Sequence, residues 1–246
     1  MNMQGPLRKI ALVTGANKGI GFEVACQLAA SGCSVLLGAR NRALGEEAAA
    51  TLKRAGCDVR YLSIDLDDPA TMATAAKDID ADFGHLDVLV NNAGIVGHGD
   101  GLPSSSSLDA IERAFRVNFL GSVAVTQAML PLLRKASSAS IVNVSSGLGS
   151  LTKSGDPAWT HVAAKYLGYA ASKAALNMLT VQLAYELRDT SIKVNSVDHG
   201  YTATDLNHHR GTQTIPEGAA EIIRLALLPD DGPTGIFSSA QGIVPW

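Results

Sequence analysis

The sequence predicts an α/β protein of 246 residues, one domain in which a doubly wound, mostly parallel sheet carries helices on both faces. Three observations support that prediction. Short apolar or β-branched runs alternate with longer Ala- and Leu-rich segments of helical period, the rhythm of right-handed β–α–β crossovers. Several of the runs are apolar at nearly every position, as strands covered on both faces must be. No linker or change of composition divides the chain, and 46% hydrophobic residues supply ample material for a core.

Taken in order, strands are expected at 10–13, 34–37, 58–63, 87–90, 140–144 and 193–197. Helices are expected at 20–30, 42–54, 70–83, 108–133, 167–187 and 216–227. Three stretches break the rhythm. Residues 95–107 are rich in Gly, Pro and Ser, 147–165 form a long irregular insertion, and 200–215 are polar without clear period. All follow strands on the carboxyl side, where open α/β sheets bind ligands, so 147–165 and 200–215 are expected to be substrate-side loops.

Bulk properties exclude several classes. The net charge is −3 and Lys and Arg are scattered, which leaves no nucleic-acid footprint and no patch for an anionic membrane. No apolar run approaches the roughly 20 residues that a bilayer requires. Cys26, Cys33 and Cys57 show no C-x-x-C spacing, so a soluble, reduced, cytoplasmic protein is expected. His208 and His209 are adjacent in a polar loop with no third ligand at diagnostic spacing, and no metal site is expected.

Between the first strand and first helix, residues 14–21 read Thr-Gly-Ala-Asn-Lys-Gly-Ile-Gly. Glycines permit a tight turn and close approach to a pyrophosphate, while a helix N-terminus offers unpaired N–H groups and a positive dipole end. Gly15, Asn17, Lys18, Gly19, Ile20 and Gly21 are therefore expected to bind a dinucleotide. A Walker A loop is excluded, because Lys18 precedes its glycine. An NAD site usually has a carboxylate after the second strand to hold the ribose 2′-hydroxyl. Here Arg40 stands in that place and the nearest acids are Glu46 and Glu47, a combination that suits a 2′-phosphate and points to NADP(H). Asp65 and Leu66 follow the third strand, and Asn91-Asn92-Ala93-Gly94 closes the fourth. Asp65 is expected to meet the adenine amino group. Small residues beside Asn91, Ala93 and Gly94 would let the backbone pass close to a ribose, while an asparagine could pin neighbouring strands.

Tyr169 and Lys173 lie four apart in a helical stretch and share a face. A free tyrosine has a pKa of about 10, and an adjacent ammonium favours the phenolate. Lys173 together with the cationic nicotinamide of NADP⁺ is expected to lower the Tyr169 pKa, so that the phenol can exchange a proton with a carbonyl oxygen as hydride moves. The fifth strand ends in Ser145-Ser146, and a hydroxyl at that edge would hold the substrate oxygen. Asn118 reads either as a core-bonded or helix-kinking amide, or as the anchor of a water that links Lys173 to solvent.

These features resemble the short-chain dehydrogenase/reductase family, and in particular its NADPH-dependent carbonyl reductases (ketoreductases). Thr14-Gly-x-x-x-Gly-x-Gly21, Asp65, Asn91-Asn-Ala-Gly94, Asn118, Ser146, Tyr169-x-x-x-Lys173 and Asn195 occur in family order over almost the whole chain. The resemblance implies a Rossmann fold and reduction of a small ketone or aldehyde to an alcohol. It implies an Asn118–Ser146–Tyr169–Lys173 tetrad, with Ser146 rather than Ser145 orienting the substrate and Lys173 on the nicotinamide ribose. It also implies cofactor contacts from Tyr169, Gly200, Thr202 and Thr204, and a homodimer or homotetramer. Two other activities stand beside this one: an NADP-binding sensor or scaffold without turnover, and a biosynthetic dehydrogenase working oxidatively.

One departure is plain. The family's Pro-Gly after the sixth strand is His199-Gly200 here. His199 either fills a turn position or puts a titratable ring into the substrate pocket. Trp159, in the 147–165 insertion, is expected to roof that pocket or to cover a subunit interface.

Overall fold

The computed structural model describes residues 8–246, so residues 1–7 of the expected 1–246 domain lie outside the described residues. The strands are β1 (Ile10–Thr14), β2 (Ser34–Ala39), β3 (Val59–Ser63), β4 (Val88–Asn91), β5 (Ala139–Ser145), β6 (Ile192–Asp198), β7 (Phe237–Ser239) and β8 (Gly242–Ile243). The helices are α1 (Gly19–Ala30), α2 (Arg42–Arg54), α3 (Pro69–Phe83), α4 (Leu108–Ala114), α5 (Ser122–Leu133), α6 (Leu151–Gly155), α7 (Leu167–Glu186) and α8 (Ile215–Ala226). One sheet runs β3-β2-β1-β4-β5-β6-β7-β8, parallel throughout except for the β7–β8 pair. The doubly wound α/β expectation holds.

Period-2 alternation explains why the strands are apolar end to end. Ala11 and Val13 of β1 join one hydrophobic cluster with Val35, Leu37, Val88 and Val90, covered by α1, α2 and α8. The intervening Ile10 and Leu12 join Leu36, Leu89 and Ile141 in a second cluster beneath α3, α5 and α7. Both faces are buried, so apolar residues predominate at both sets of positions. Several helices start on side chains that accept from the first turn: Asn41 for α2, Asp68 for α3, and a reciprocal Thr214–Glu217 capping box for α8.

The structure corrects three expectations. β7 and β8 were not foreseen, being three and two residues long. The helix expected at 108–133 contains a π-helical segment, Phe115–Gly121, between α4 and α5. The 147–165 stretch is not wholly irregular, since it opens with a 3-10 turn at Gly147–Gly149 and carries α6. Among the described residues no helix is long and apolar enough to cross a membrane.

A buried polar ladder pins the middle of the sheet. Asn91 Nδ2 donates to Asn143 Oδ1 and to Thr126 Oγ1, each at 2.9 Å. Asn143 Nδ2 donates to Thr180 Oγ1 at 2.8 Å, and Thr180 meets Ser196 at 2.7 Å. The chain of bonds joins β4, β5 and β6 to α5 and α7 in an apolar interior, where an unpaired member costs about 1–3 kcal/mol. Replacing Asn143 with Ala strands a partner on each side. We expect Asn143→Ala to lose about 2–4 kcal/mol in urea unfolding, and a loss under ~0.5 kcal/mol would show the ladder to be dispensable.

Candidate active site

The sheet order reverses between β1 and β4, and the carboxyl ends of the strands there open into a groove of about 520 Å³. Gly15, Lys18, Gly19, Ile20, Gly21, Arg40, Asp65, Leu66, Ala93, Gly94, Tyr169, Lys173 and Thr204 line it, and so does His199. Gly15 (φ +64°) passes so close to the β4 end that a Cβ there would lie 2.9 Å from Ala93 Cα. Thr14 locks the same junction, its Oγ1 accepting from Asn92 N at 3.0 Å and Ala93 N at 3.1 Å. Gly19 (φ +59°) is not crowded, since a Cβ there would make only an ordinary contact with Thr204 Cγ2 at 3.9 Å.

Four of the expected cofactor contacts are not brought to the groove, and the expected Asn118, Ser146 and Trp159 also lie outside its lining. Asn91 is still in β4 and is committed to the ladder; one residue on, Asn92 lines the groove instead and donates to Thr14 O at 2.8 Å. Thr202 is 1% exposed, wedged against Gly218, with Oγ1 donating to His199 O. Asn17 and Gly200 stand outside the wall, although Gly200 (φ +71°) makes the turn that brings Thr204 to it. Sequence reasoning did not assign roles to Asn92 and Thr14; both lie inside motifs it had quoted.

Lys18 Nζ pairs with Asp205 at 2.6 Å, and His209 Nε2 approaches the same carboxylate at 2.9 Å. The hydrogen bond from Lys18 holds the Asp205 carboxyl below the usual carboxylate range. Lys18 therefore does not present a second unshared charge. Arg40 has no ion pair among the described residues and is the guanidinium left to the groove. No group of three or more His, Cys, Asp or Glu among the described residues could hold a metal ion.

Tyr169 and Lys173 are 5% and 3% exposed. Lys173 Nζ donates to Val144 O at 2.7 Å and lies 5.6 Å from the Tyr169 ring centroid. Burial pushes Lys173 down to about 8. Burial also pushes Tyr169 up to about 12, with the nearby Asp198 carboxylate adding to the rise and the Ser146 hydroxyl beside the phenol pulling the other way. Desolvation of the phenolate is the largest cause and outweighs the opposing pull of the Ser146 hydroxyl. Against an ordinary value near 10, the rise is worth about 3 kcal/mol in favour of the protonated phenol.

Ser146, half-buried, accepts from Leu148 N at 3.2 Å and stays beside the phenol, whereas Ser145 is fully buried and donates to Lys173 O at 3.3 Å. Asn118 sits in the π-helical segment with no exposed surface. Its Oδ1 accepts from Ile95 N at 2.8 Å, and its Nδ2 donates to Ile95 O and Ser172 Oγ, each at 2.9 Å. The core-bonded reading therefore describes its side chain, whose two N–H groups are both committed. Gly94 fits between this amide and the lysine, since a Cβ there would stand 3.3 Å from Lys173 Nζ and 3.4 Å from Asn118 Oδ1.

His199 puts its ring in the groove wall with Nδ1 buried and unpartnered among the described residues. Burial holds this imidazole below its ordinary pKa, opposed by Asp198 and aided by Lys173. Trp159 lies outside the groove wall, edge-on to His161, which tilts onto Tyr201 at 5.5 Å. A Cβ at Gly147 would meet Trp159 Cζ2 at 3.1 Å and Asp198 Oδ2 at 2.8 Å, and Lys153 Nζ is 3.4 Å from that same carboxylate oxygen. Sequence reasoning missed Asp198 and Lys153, which are distant in the chain and meet only once β6 and α6 are placed.

A family model described as short chain dehydrogenase matches residues 9–214. The salutaridine reductase of Papaver bracteatum is 33% identical over 295 aligned residues, covering 93% of this chain and 93% of that protein. The (+)-neomenthol dehydrogenase of Arabidopsis thaliana is 32% identical over 289, covering 96% and 97% respectively. Both alignments are longer than 246 residues, so these relatives carry insertions that this chain lacks. Among solved structures, the NADPH-bound carbonyl reductase from chicken fatty liver superposes with a TM-score of 0.83 at 28% identity, covering 98% of this chain and 100% of that one.

The buried ammonium carries a stability consequence of definite sign. A lysine whose pKa is depressed on folding opposes folding below the folded value of about 8, and that opposition fades as pH rises towards the unfolded value of 10.5. We expect Lys173→Met to raise the thermal midpoint by several degrees at pH 7, after about 1–3 kcal/mol is given back for the orphaned Val144 carbonyl. The gain should shrink above pH 8. Scanning calorimetry of both proteins across that range checks it, and a lower midpoint for the variant at pH 7 would contradict the burial argument.

Proposed function

The chain belongs to the short-chain dehydrogenase family, and from that premise we propose that it transfers a hydride between NADPH and a ketone or aldehyde to give an alcohol, with Tyr169 as acid/base. The observation that carries this reading is a tyrosine and a lysine buried side by side at the inner end of a groove that begins at a glycine-rich turn. A groove of about 520 Å³ is within the range of ligand sites, and the uncrowded Gly19 at the start of α1 suits the close approach of a pyrophosphate. Arg40, with no carboxylate in its neighbourhood nearer than Glu46 in the sequence, supports NADP(H) over NAD(H).

When bound, NADPH supplies the hydride. Ser146 Oγ would hold the carbonyl oxygen, and the protonated Tyr169 would donate its proton to that oxygen as charge develops there. Ser146 and Lys173 would then stabilise the phenolate left behind. Asn118 keeps the loop after β4 against α7 and so holds the groove floor around Lys173. A binding-only sensor would have no use for a buried ammonium that the fold must desolvate. On this reading 147–165 and 200–215 are substrate-side loops, and His199, whose buried Nδ1 has no partner among the described residues and whose ring lines the groove, serves the pocket more directly than Trp159 does. Leu108, Leu120, Met178 and Tyr185, exposed on α4, the π segment and α7, support pairing with further copies in a homodimer or homotetramer.

Two measurements test the proposal. On a panel of aldehydes and ketones, Tyr169→Phe should lose at least ~100-fold in kcat while still binding NADPH; turnover that persists would overturn the mechanism. Arg40→Ala should weaken NADPH far more than NADH, by roughly 10-fold or more for a lost charge-assisted pair. Equal losses for the two cofactors would refute the NADP(H) assignment.

A further inference from the structure

The first turn of α7 is capped from another part of the chain. Its N-cap residue, Tyr166, makes no side-chain capping bond, which leaves the opening N–H groups to find partners elsewhere. They find them in the loop between β4 and α4. Leu167 N donates to Gly101 O at 3.0 Å. Gly168 N donates to Asp100 Oδ1 at 2.9 Å and Tyr169 N to Asp100 Oδ2 at 2.8 Å. The next amide, Ala170 N, makes the first bond within the helix, to Tyr166 O.

The carboxylate that receives these bonds is itself held. Asp100 Oδ1 also accepts from Gly101 N at 2.9 Å and from Ser106 Oγ at 2.8 Å. Gly168 lets the elements come this close: a Cβ there would stand 2.8 Å from Ile111 Cα in α4 and 3.3 Å from Asp100 Oδ2. The start of the same loop is fixed to the same helix, because Asn118 holds both backbone groups of Ile95 and donates to Ser172. Residues 95–107 are therefore fastened to α7 at two points, one at Gly168 and Tyr169 through Asp100 and one at Ser172 through Asn118.

We propose that Asp100 is a positioning residue for Tyr169, a carboxylate that fixes the backbone of the acid/base by accepting its N–H and that of the residue before it. The inference rests on the functional reading above. A carboxylate is suited to the task because it accepts two amides on separate oxygens and complements the positive end of the helix dipole. Positioning matters because a displacement of about 1 Å at the reacting group can cost on the order of 100-fold in rate. Gly168 and Tyr169 occupy the helix start whose own flanking residue cannot cap, so α7 depends on the loop for the setting of its first turn.

The test compares Asp100→Ala and Asp100→Asn with the parent, using NADPH and an aromatic aldehyde as probe. Asn keeps one acceptor oxygen, so it should restore part of the lost rate, and it serves as the informative variant should the Ala form fail to fold. We expect kcat to fall about 10- to 100-fold in Asp100→Ala and less in Asp100→Asn, with NADPH affinity by fluorescence titration within about threefold of the parent. Amide hydrogen exchange should quicken at Gly168 and Tyr169 and not at Thr180, further along the same helix. An unchanged kcat overturns the proposal, as does a kcat loss matched by equal loss of NADPH affinity and general acceleration of exchange. Should the parent reduce no carbonyl compound, the functional reading fails by itself. Exchange confined to the first turn would then still support the tie between Asp100 and Tyr169, and unaltered exchange there would overturn it.

Discussion

The setting of α7 against the end of β5 governs the rest of the site. Two bonds in opposite senses make the clasp: Lys173 Nζ donates to Val144 O at 2.7 Å, and Ser145 Oγ donates to Lys173 O at 3.3 Å. Gly149 closes the space behind, for a Cβ there would come within 2.8 Å of Lys173 Cβ. With the helix held in rotation and in height, Tyr169, one turn earlier on the same face, is carried to the inner end of the groove. The clasp also requires a charged amine in a dry interior, which is where the strain between stability and chemistry lies.

Small residues do much of the remaining positioning. Gly15 against Ala93 brings the β1 and β4 turns into backbone contact, and Gly94 leaves the narrow gap shared by Lys173 and Asn118. The sheet beneath is rigid because its strands are buried on both faces and cross-linked by the Asn91–Asn143–Thr180–Ser196 ladder. A groove of defined shape at the switch in strand order then follows from packing.

Local features were the ones legible in the sequence. The six longer strands announce themselves as apolar runs, and the glycine-rich turn and the Tyr169–Lys173 spacing are contained within a few residues. β7 and β8 escape notice because their pairing, with β6 and with each other, is entirely tertiary. Asn91 was misassigned to the groove because β4 continues one residue beyond the expected end, and a single step along a strand changes the face presented. The π-helical segment depends on hydrogen bonding around a buried Asn118, and the direction of the Tyr169 shift depends on burial, a property that spacing does not encode. Asp100 shows the same limit: in the sequence it is one acid in a Gly- and Ser-rich loop, and its partners lie 68 and 69 residues away.

The sheet order has a kinetic corollary. The groove draws on Thr14, Ala93, Val144, Lys173, His199 and Ile215, so its walls span most of the chain. After β3 the chain must cross back over β2 and β1 before β4 can pair with β1, and β5 cannot be clasped before α7 exists. Contacts of such long sequence separation close late and slowly. During synthesis the first glycine turn can form early, whereas the groove as a whole cannot exist until the chain is nearly finished. The complete groove is therefore a late product of folding, because its walls are drawn from residues 14 to 215.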